Sequence, residues 1–202
     1  MKVKICGITD VNTAVKAVEY GADAIGFVFA ESKRRITEKP AREIVEHLPP
    51  EVYKVGVFVN ETAEEIERIA SYVGLTHIQL HGDEDAEFCQ SLTFPVIKAI
   101  SFQSNEHLAE VSRFPAAYIL LDGPKGKYRG GNGTAFDWNQ VNISLLKSKK
   151  VILAGGLQAN NVENAVSIIK PFMVDVSSGV ETDGVKDLEK IKAFIKKAKG
   201  IC

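Results

Sequence analysis

The chain has 202 residues, 45% of them hydrophobic, which is enough to bury one sizeable core. A formal net charge of −1 and a pI near 6.4 provide no broad basic field for DNA, RNA or an anionic membrane, so any anionic ligand has to be held by local features. No apolar run approaches the roughly 20 residues of a bilayer span, and three cysteines far apart in sequence argue against a disulfide framework or a clustered metal site.

The first predicted strand, "KVKIC" (2–6), follows almost directly on the first residue, leaving no room for a signal peptide. The expectation is a cytoplasmic globular protein. Val11, Ala14, Val15 and Val18 then make a helical stripe, and "DAIGFVF" (23–29) reads as a second strand. Ala41, Ile44, Val45 and Leu48 line a second helix, with Pro40 in its first turn, where a missing N–H costs little. "YKVGVFV" (53–59) precedes a helix with Ile66, Ile69, Ala70 and Val73 at helical spacing, opened by Thr62 and Glu65 as a capping box. Strands at "HIQL" (77–80), "PVIKAI" (95–100) and "AYILLD" (117–122) follow, and the helices after these three are the least marked. "KVILA" (150–154) leads to a helix with Val162, Ala165, Val166 and Ile169, started by Asn160 with Glu163. "MVDVS" (173–177) is the last strand, and Leu188, Ile191, Ile195 and Ala198 line the last helix.

Eight strand–helix units of about 25 residues each predict an α/β fold, a (β/α)₈ TIM barrel of parallel strands with outer helices, near the lower size limit of that architecture. The prediction is a single domain over residues 1–202. A doubly wound open sheet is the alternative, but it usually has fewer strands and a clear switch point.

In such a barrel, chemistry gathers at the C-terminal ends of the strands, and side chains at i and i+2 share a face. Lys4 and Cys6 share one face of strand one, Gln79 and His81 one at strand four, and Asp175 and Ser177 one at strand eight. Lys98 lies on strand five, and Asp122 ends strand six. Cys6 reads either as a small buried hydrophobe or, beside the cation of Lys4, as a base or nucleophile. Lys4 itself could stabilise a thiolate or pair with Asp175. Cys89 and Cys202 carry no such context. Asp122 stands before "GPKGKYRGGNGTAFDW", a loop with five glycines. A strand-end carboxyl beside such a lid suits a general acid, or else a turn aspartate. The loops at "LAGGL" (153–157) and "VDVSSGVE" (174–181) occupy the frequent phosphate position of this barrel class, making Gly155, Gly156, Ser178 and Gly179 candidates for phosphate binding. Arg34 or Arg35 of "ESKRRI" could fork onto a ligand carboxylate. His81 could serve acid–base chemistry, touch the ligand or cap a loop. The closing "KIKAFIKKAK" is the solvated face of a helix.

Together, "KICGIT", "GADAIGFVF", "SKRRI", "VGVFVN", "IQLHG", "ILLD", "GGNGTAFDW", "LAGGL" and "VDVSSGVE" resemble the phosphoribosylanthranilate isomerase family over the full length. The resemblance implies a barrel with no cofactor or metal. Its activity would be an Amadori rearrangement of N-(5-phosphoribosyl)anthranilate in tryptophan biosynthesis. By motif, Cys6 corresponds to the general base, Asp122 to the general acid and Arg34 to the anthranilate contact; His81 and Asp175 are further candidate substrate-binding residues from their positions at the strand ends. The partner would be a small phosphorylated aminosugar, with no nucleic acid or membrane, and the chain a monomer or homodimer. Asn132 departs from the pattern, which has a hydroxyl residue there. Two rivals use the same scaffold: a Schiff-base lyase acting through Lys98, and a non-catalytic phosphosugar-binding barrel. An indole-glycerol phosphate synthase would show lysine and glutamate at early strand ends, where this chain has Cys6.

Overall fold

The computed structural model describes residues 1–123 and 137–200. Eight parallel strands close into a barrel in sequence order: β1 (Lys2–Cys6), β2 (Ala24–Val28), β3 (Tyr53–Phe58), β4 (His77–Leu80), β5 (Val96–Ser101), β6 (Tyr118–Asp122), β7 (Lys150–Leu153) and β8 (Met173–Val176). Helices α1 (Val11–Glu19), α2 (Glu38–Glu46), α3 (Ala63–Val73), α4 (Ala86–Ser91), α5 (Asn105–Val111), α6 (Val162–Ile169) and α7 (Leu188–Lys199) occupy the crossovers and the C-terminal end. The predicted barrel is therefore the observed one. The sixth crossover differs: among the described residues it carries only two 3₁₀ turns, Trp138–Gln140 and Ile143–Leu146.

The strand period divides the core into two layers. On β1, Val3 and Ile5 face the helices, and Lys4 and Cys6 face the barrel axis; on β6, Ile119 and Leu121 face out while Tyr118, Leu120 and Asp122 face in. The outer layer is a continuous apolar packing of strands on helices. The axis is filled toward its base by Ala24, Val55, Ile97, Ala99, Tyr118, Leu120, Ile152, Ala154 and Met173. Polar side chains replace this filling toward the C-terminal end.

The helices start where local chemistry lets them. Asp10, Asp85 and Ser104 each accept a hydrogen bond from the backbone N–H three residues on, capping α1, α4 and α5. The predicted box at α3 is half made. Thr62 Oγ1 accepts from the Glu65 N–H at 3.3 Å, while the Thr62 N–H donates to Glu61 rather than Glu65. The predicted Asn160 start is displaced to Asn161, whose side chain holds the preceding loop instead: Oδ1 accepts from the Gln158 N–H and Nδ2 donates to the Gly156 carbonyl. Asp187 caps α7 by accepting from the Glu189 and Lys190 N–H groups, and Lys196, Lys197 and Lys199 sit at the negative end of its dipole. A hairpin absent from the predicted elements follows β8. It consists of β9 (Glu181–Thr182) and β10 (Val185–Lys186), joined by Asp183 and Gly184 at φ 51° and 82°.

Candidate active site

A cavity of about 750 Å³ opens at the C-terminal ends of the strands. Cys6, Arg34, His81, Asp122, Asp175 and the glycines of the last two loops all line it. The sequence therefore named residues that the fold brings to one place, with one exception. Lys98 shares its strand face with Val96 and Ile100, which pack in the outer layer, and its ammonium lies 2.6 Å from Glu84 and 2.9 Å from the Gly82 carbonyl. It points away from the cavity, toward the helices, so a Schiff base on Lys98 has no geometric support. Glu84 also accepts from the Asn60 and Gly82 N–H groups, so this pair ties two loops to β5.

The register of the closing strands explains the thiol's surroundings. Lys4 lies opposite Asp175 across the β1–β8 boundary, and their side chains meet at 2.9 Å. Lys4 is completely buried and Asp175 is 8% exposed, so this pair is made in a dry environment. Of the two readings of Lys4, the pair with Asp175 is made, and Lys4 also lies against Cys6. Gly26, opposite Cys6 on β2, makes room: a Cβ there would come within 2.8 Å of Cys6 Sγ and 3.1 Å of Lys4 Cε.

Charge balance at the thiol is unequal. Burial pushes the Cys6 thiol above its ordinary range; Lys4 pulls it back, Asp175 adds to the rise, and Lys186 pulls back more weakly. The expected thiolate-favouring effect of Lys4 is present but does not outweigh desolvation. On Lys4 itself, burial acts downward, but Asp175 and then Cys6 outweigh it and hold the ammonium above its ordinary range. One oxygen of Asp175, Oδ1, is buried without a partner among the described residues.

Three strands away around the barrel, Asp122 ends β6. Its Oδ1 accepts from the Gly123 N–H at 2.8 Å, and its Oδ2 lies 3.4 Å from His81 Nε2. Gln79 Nε2 lies 3.2 Å from His81 Nδ1, so β4 presents the ring to the carboxyl. The glycine-rich loop after Asp122, with Asn132, falls outside the described residues apart from its ends, as does Cys202. Cys89 is buried on α4, where burial pushes its thiol up to about 11.

The remaining wall is built from loops and the hairpin. Gly155 and Gly156 take positive φ, and Ser178 and Gly179 open the turn after β8. A Cβ at Gly179 would stand 1.9 Å from the Leu157 carbonyl oxygen, so the two loops touch only because this residue has none. Arg34 does not reach into the cavity unengaged. Its Nε and Nη2 donate to Glu181 at 2.6 and 2.8 Å, and Lys186 meets the same carboxylate at 2.5 Å. The sequence reading missed Glu181 and Lys186; the Asp183–Gly184 turn signal beside them would have located the hairpin. Among the described residues no group of His, Cys, Asp and Glu is arranged to hold a metal ion, and no helix is long and apolar enough to cross a membrane.

Comparisons with known proteins place the chain in a family and support the barrel fold. The family model described as N-(5'phosphoribosyl)anthranilate (PRA) isomerase matches residues 3–197. The chain belongs to that family. It is an isomerase, an enzyme of tryptophan biosynthesis. An N-(5'-phosphoribosyl)anthranilate isomerase of Bacillus cereus is 56% identical over 200 residues, covering 98% of each chain. The crystal structure of phosphoribosyl anthranilate isomerase from Thermotoga maritima superposes with a TM-score of 0.90 at 45% identity and full coverage of both chains. Another isomerase structure, in complex with reduced 1-(o-carboxyphenylamino)-1-deoxyribulose 5-phosphate, gives 0.89 at 43% identity, again with full coverage of both.

Proposed function

We propose that this isomerase converts N-(5-phosphoribosyl)anthranilate to 1-(2-carboxyphenylamino)-1-deoxyribulose 5-phosphate, with Cys6 as general base and Asp122 as general acid. The observation that carries this reading is the pairing of a thiol on β1 with a carboxyl on β6 across one cavity. The substrate is a closed aminoaldose. Opening it requires a proton on the ring oxygen as the C1–O bond breaks, and Asp122 supplies it. The iminium left at C1 acidifies C2, whose proton passes to the Cys6 thiolate. The resulting enolamine tautomerises to the ketone, so the reaction is a net isomerisation. Each positioned proton transfer contributes roughly 10²–10⁴ in rate.

The rest of the cavity suits the two ends of this substrate. Gly155, Gly156, Ser178 and Gly179 form the phosphate end, where backbone can approach an anion without intervening side chains. Arg34 faces the anthranilate carboxylate, and the unpartnered Oδ1 of Asp175 is an acceptor for a sugar hydroxyl. His81 contacts Asp122 and the bound sugar. Because burial holds the Cys6 thiol high, the competent thiolate fraction grows with pH.

Loss of the substrate's fluorescence on turnover tests the proposal. Wild-type protein is expected to consume the aminoaldose. Binding without turnover would leave a phosphosugar-binding barrel instead. A folded Cys6→Ser variant with full activity would remove the base assignment.

A further inference from the structure

The hairpin β9–β10 brings the carboxylate of Glu181, the last residue of "VDVSSGVE", and the ammonium of Lys186 to the wall of the cavity, where the alternation of the strands gives neither a place. Glu181 takes the Nε–Nη2 edge of Arg34 through two charge-assisted bonds, 2.6 and 2.8 Å long, and is 147 residues away in the chain. Lys186, two residues beyond the turn, meets the same carboxylate at 2.5 Å and donates to the Ser177 carbonyl at 2.9 Å. Ser177 Oγ in turn donates to the Cys6 carbonyl at 3.1 Å. A single carboxylate thus fastens the loop after β2 to the end of β8 and, through Ser177, to the end of β1.

The side chains of Glu181 and Lys186 are only 7% and 6% exposed, so these charges have little water to rely on. Arg34 is 21% exposed, its outer part facing the cavity. A guanidinium has two edges that can accept a carboxylate fork. With one edge fixed on Glu181, the plane of the group is set and the other edge is presented in a single orientation. The cluster of Arg34, Glu181 and Lys186 also carries one excess positive charge. A ligand carboxylate neutralises it; a ligand without one leaves it uncompensated.

We infer that Glu181 is a positioning residue for ligand recognition: anchored by Lys186, it holds Arg34 so that its free edge selects a carboxylate on the aryl group of the bound aminosugar. The inference rests on the reading of Arg34 as the carboxylate contact and adds how that contact is oriented. Glu181 touches no reacting atom. Removing its charge lets the guanidinium rotate and leaves two cations facing each other.

The test uses two phosphorylated ligands measured by calorimetry on the full chain. One is the reduced 1-(o-carboxyphenylamino)-1-deoxyribulose 5-phosphate, and the other is its analogue lacking the aryl carboxylate. Wild-type protein is expected to bind the first at least tenfold more tightly. Glu181→Gln is expected to reduce that preference severalfold, chiefly by weakening the carboxylate-bearing ligand. KM for the substrate should rise by a similar factor with kcat changed less. Because two cations left together can destabilise the hairpin, the double variant Glu181→Gln/Lys186→Met, which removes one charge of each sign, is measured alongside and should show the same loss of preference. If wild-type protein does not distinguish the ligands, the reading of Arg34 falls. If wild type does and both Glu181 variants keep the full preference, Arg34 stands and the role of Glu181 is overturned. Equal weakening of both ligands would also overturn it, since that reports a general loss of the pocket.

Discussion

Replacing Lys4 with methionine removes the positive member of an ion pair that spans the barrel's closing seam. The two charges lie 2.9 Å apart, with Lys4 fully buried and Asp175 8% exposed. At that distance, and an effective dielectric constant of about 20, the direct attraction is about 6 kcal/mol. Most of it offsets the cost of taking both ions out of water, so the net value of the pair is small. Breaking it from one side is different, because Asp175 is then left buried and unpaired, with its other oxygen already lacking a partner. The expected loss is about 3–5 kcal/mol. For a chain of this size that corresponds to a fall in Tm of roughly 6–20 °C. The assay is denaturant unfolding of Lys4→Met beside the double variant Lys4→Met/Asp175→Leu, which removes both charges and should recover most of the loss. Alkylation of Cys6, followed against pH with Cys89 and Cys202 replaced by serine, reads the second consequence. Without Lys4 the strongest force opposing burial is gone, so the rise in rate should move to higher pH. A loss below about 1 kcal/mol, or no recovery in the double variant, would refute the reasoning about the pair. An unmoved alkylation profile would refute the effect on the thiol.

Other consequences follow from particular contacts. Glu84→Gln leaves the buried Lys98 ammonium without its counter-charge and should cost about 3–5 kcal/mol in unfolding experiments, whereas Lys98→Met/Glu84→Gln should cost less than the single variant. Gly179→Ala places a methyl group 1.9 Å from the Leu157 carbonyl and should destabilise by about 1–3 kcal/mol, with KM rising because the phosphate end is forced apart. His77, stacked on Tyr53 at the opposite end of the barrel, is pulled down to about 4, first by burial and then by Lys150. The unfolded ring takes its proton near 6.5. Its contribution to stability is therefore fully present above that pH and is lost as pH falls through about 4, an acid sensitivity that His77→Phe should reduce.

Much of the site was legible because the residues of β1, β4 and β8 and their C-terminal ends place polar side chains at a period of two among apolar ones, and β6 ends in Asp122. On β1, Val3 and Ile5 alternate with Lys4 and Cys6, and that pattern alone assigns the thiol to the barrel axis. Strand β5 lacks this contrast. "PVIKAI" is apolar on both faces, so nothing in it says which side Lys98 takes, and the fold puts it outside. The hairpin was hidden for another reason. Two-residue strands are too short to show alternation, and only the Asp183–Gly184 turn marks them. The Arg34–Glu181 pair joins residues 147 apart, a separation at which no local pattern predicts contact. The sixth crossover was weakly marked because no long amphipathic helix lies in its described part.

The most direct measurement separates binding from turnover in Cys6→Ser and Asp122→Asn. Each variant is expected to bind the reduced product analogue within about threefold of wild type while kcat falls by at least about 10². Full turnover in either variant, or a loss explained wholly by weaker binding, would contradict an acid and a base acting on one sugar in this cavity.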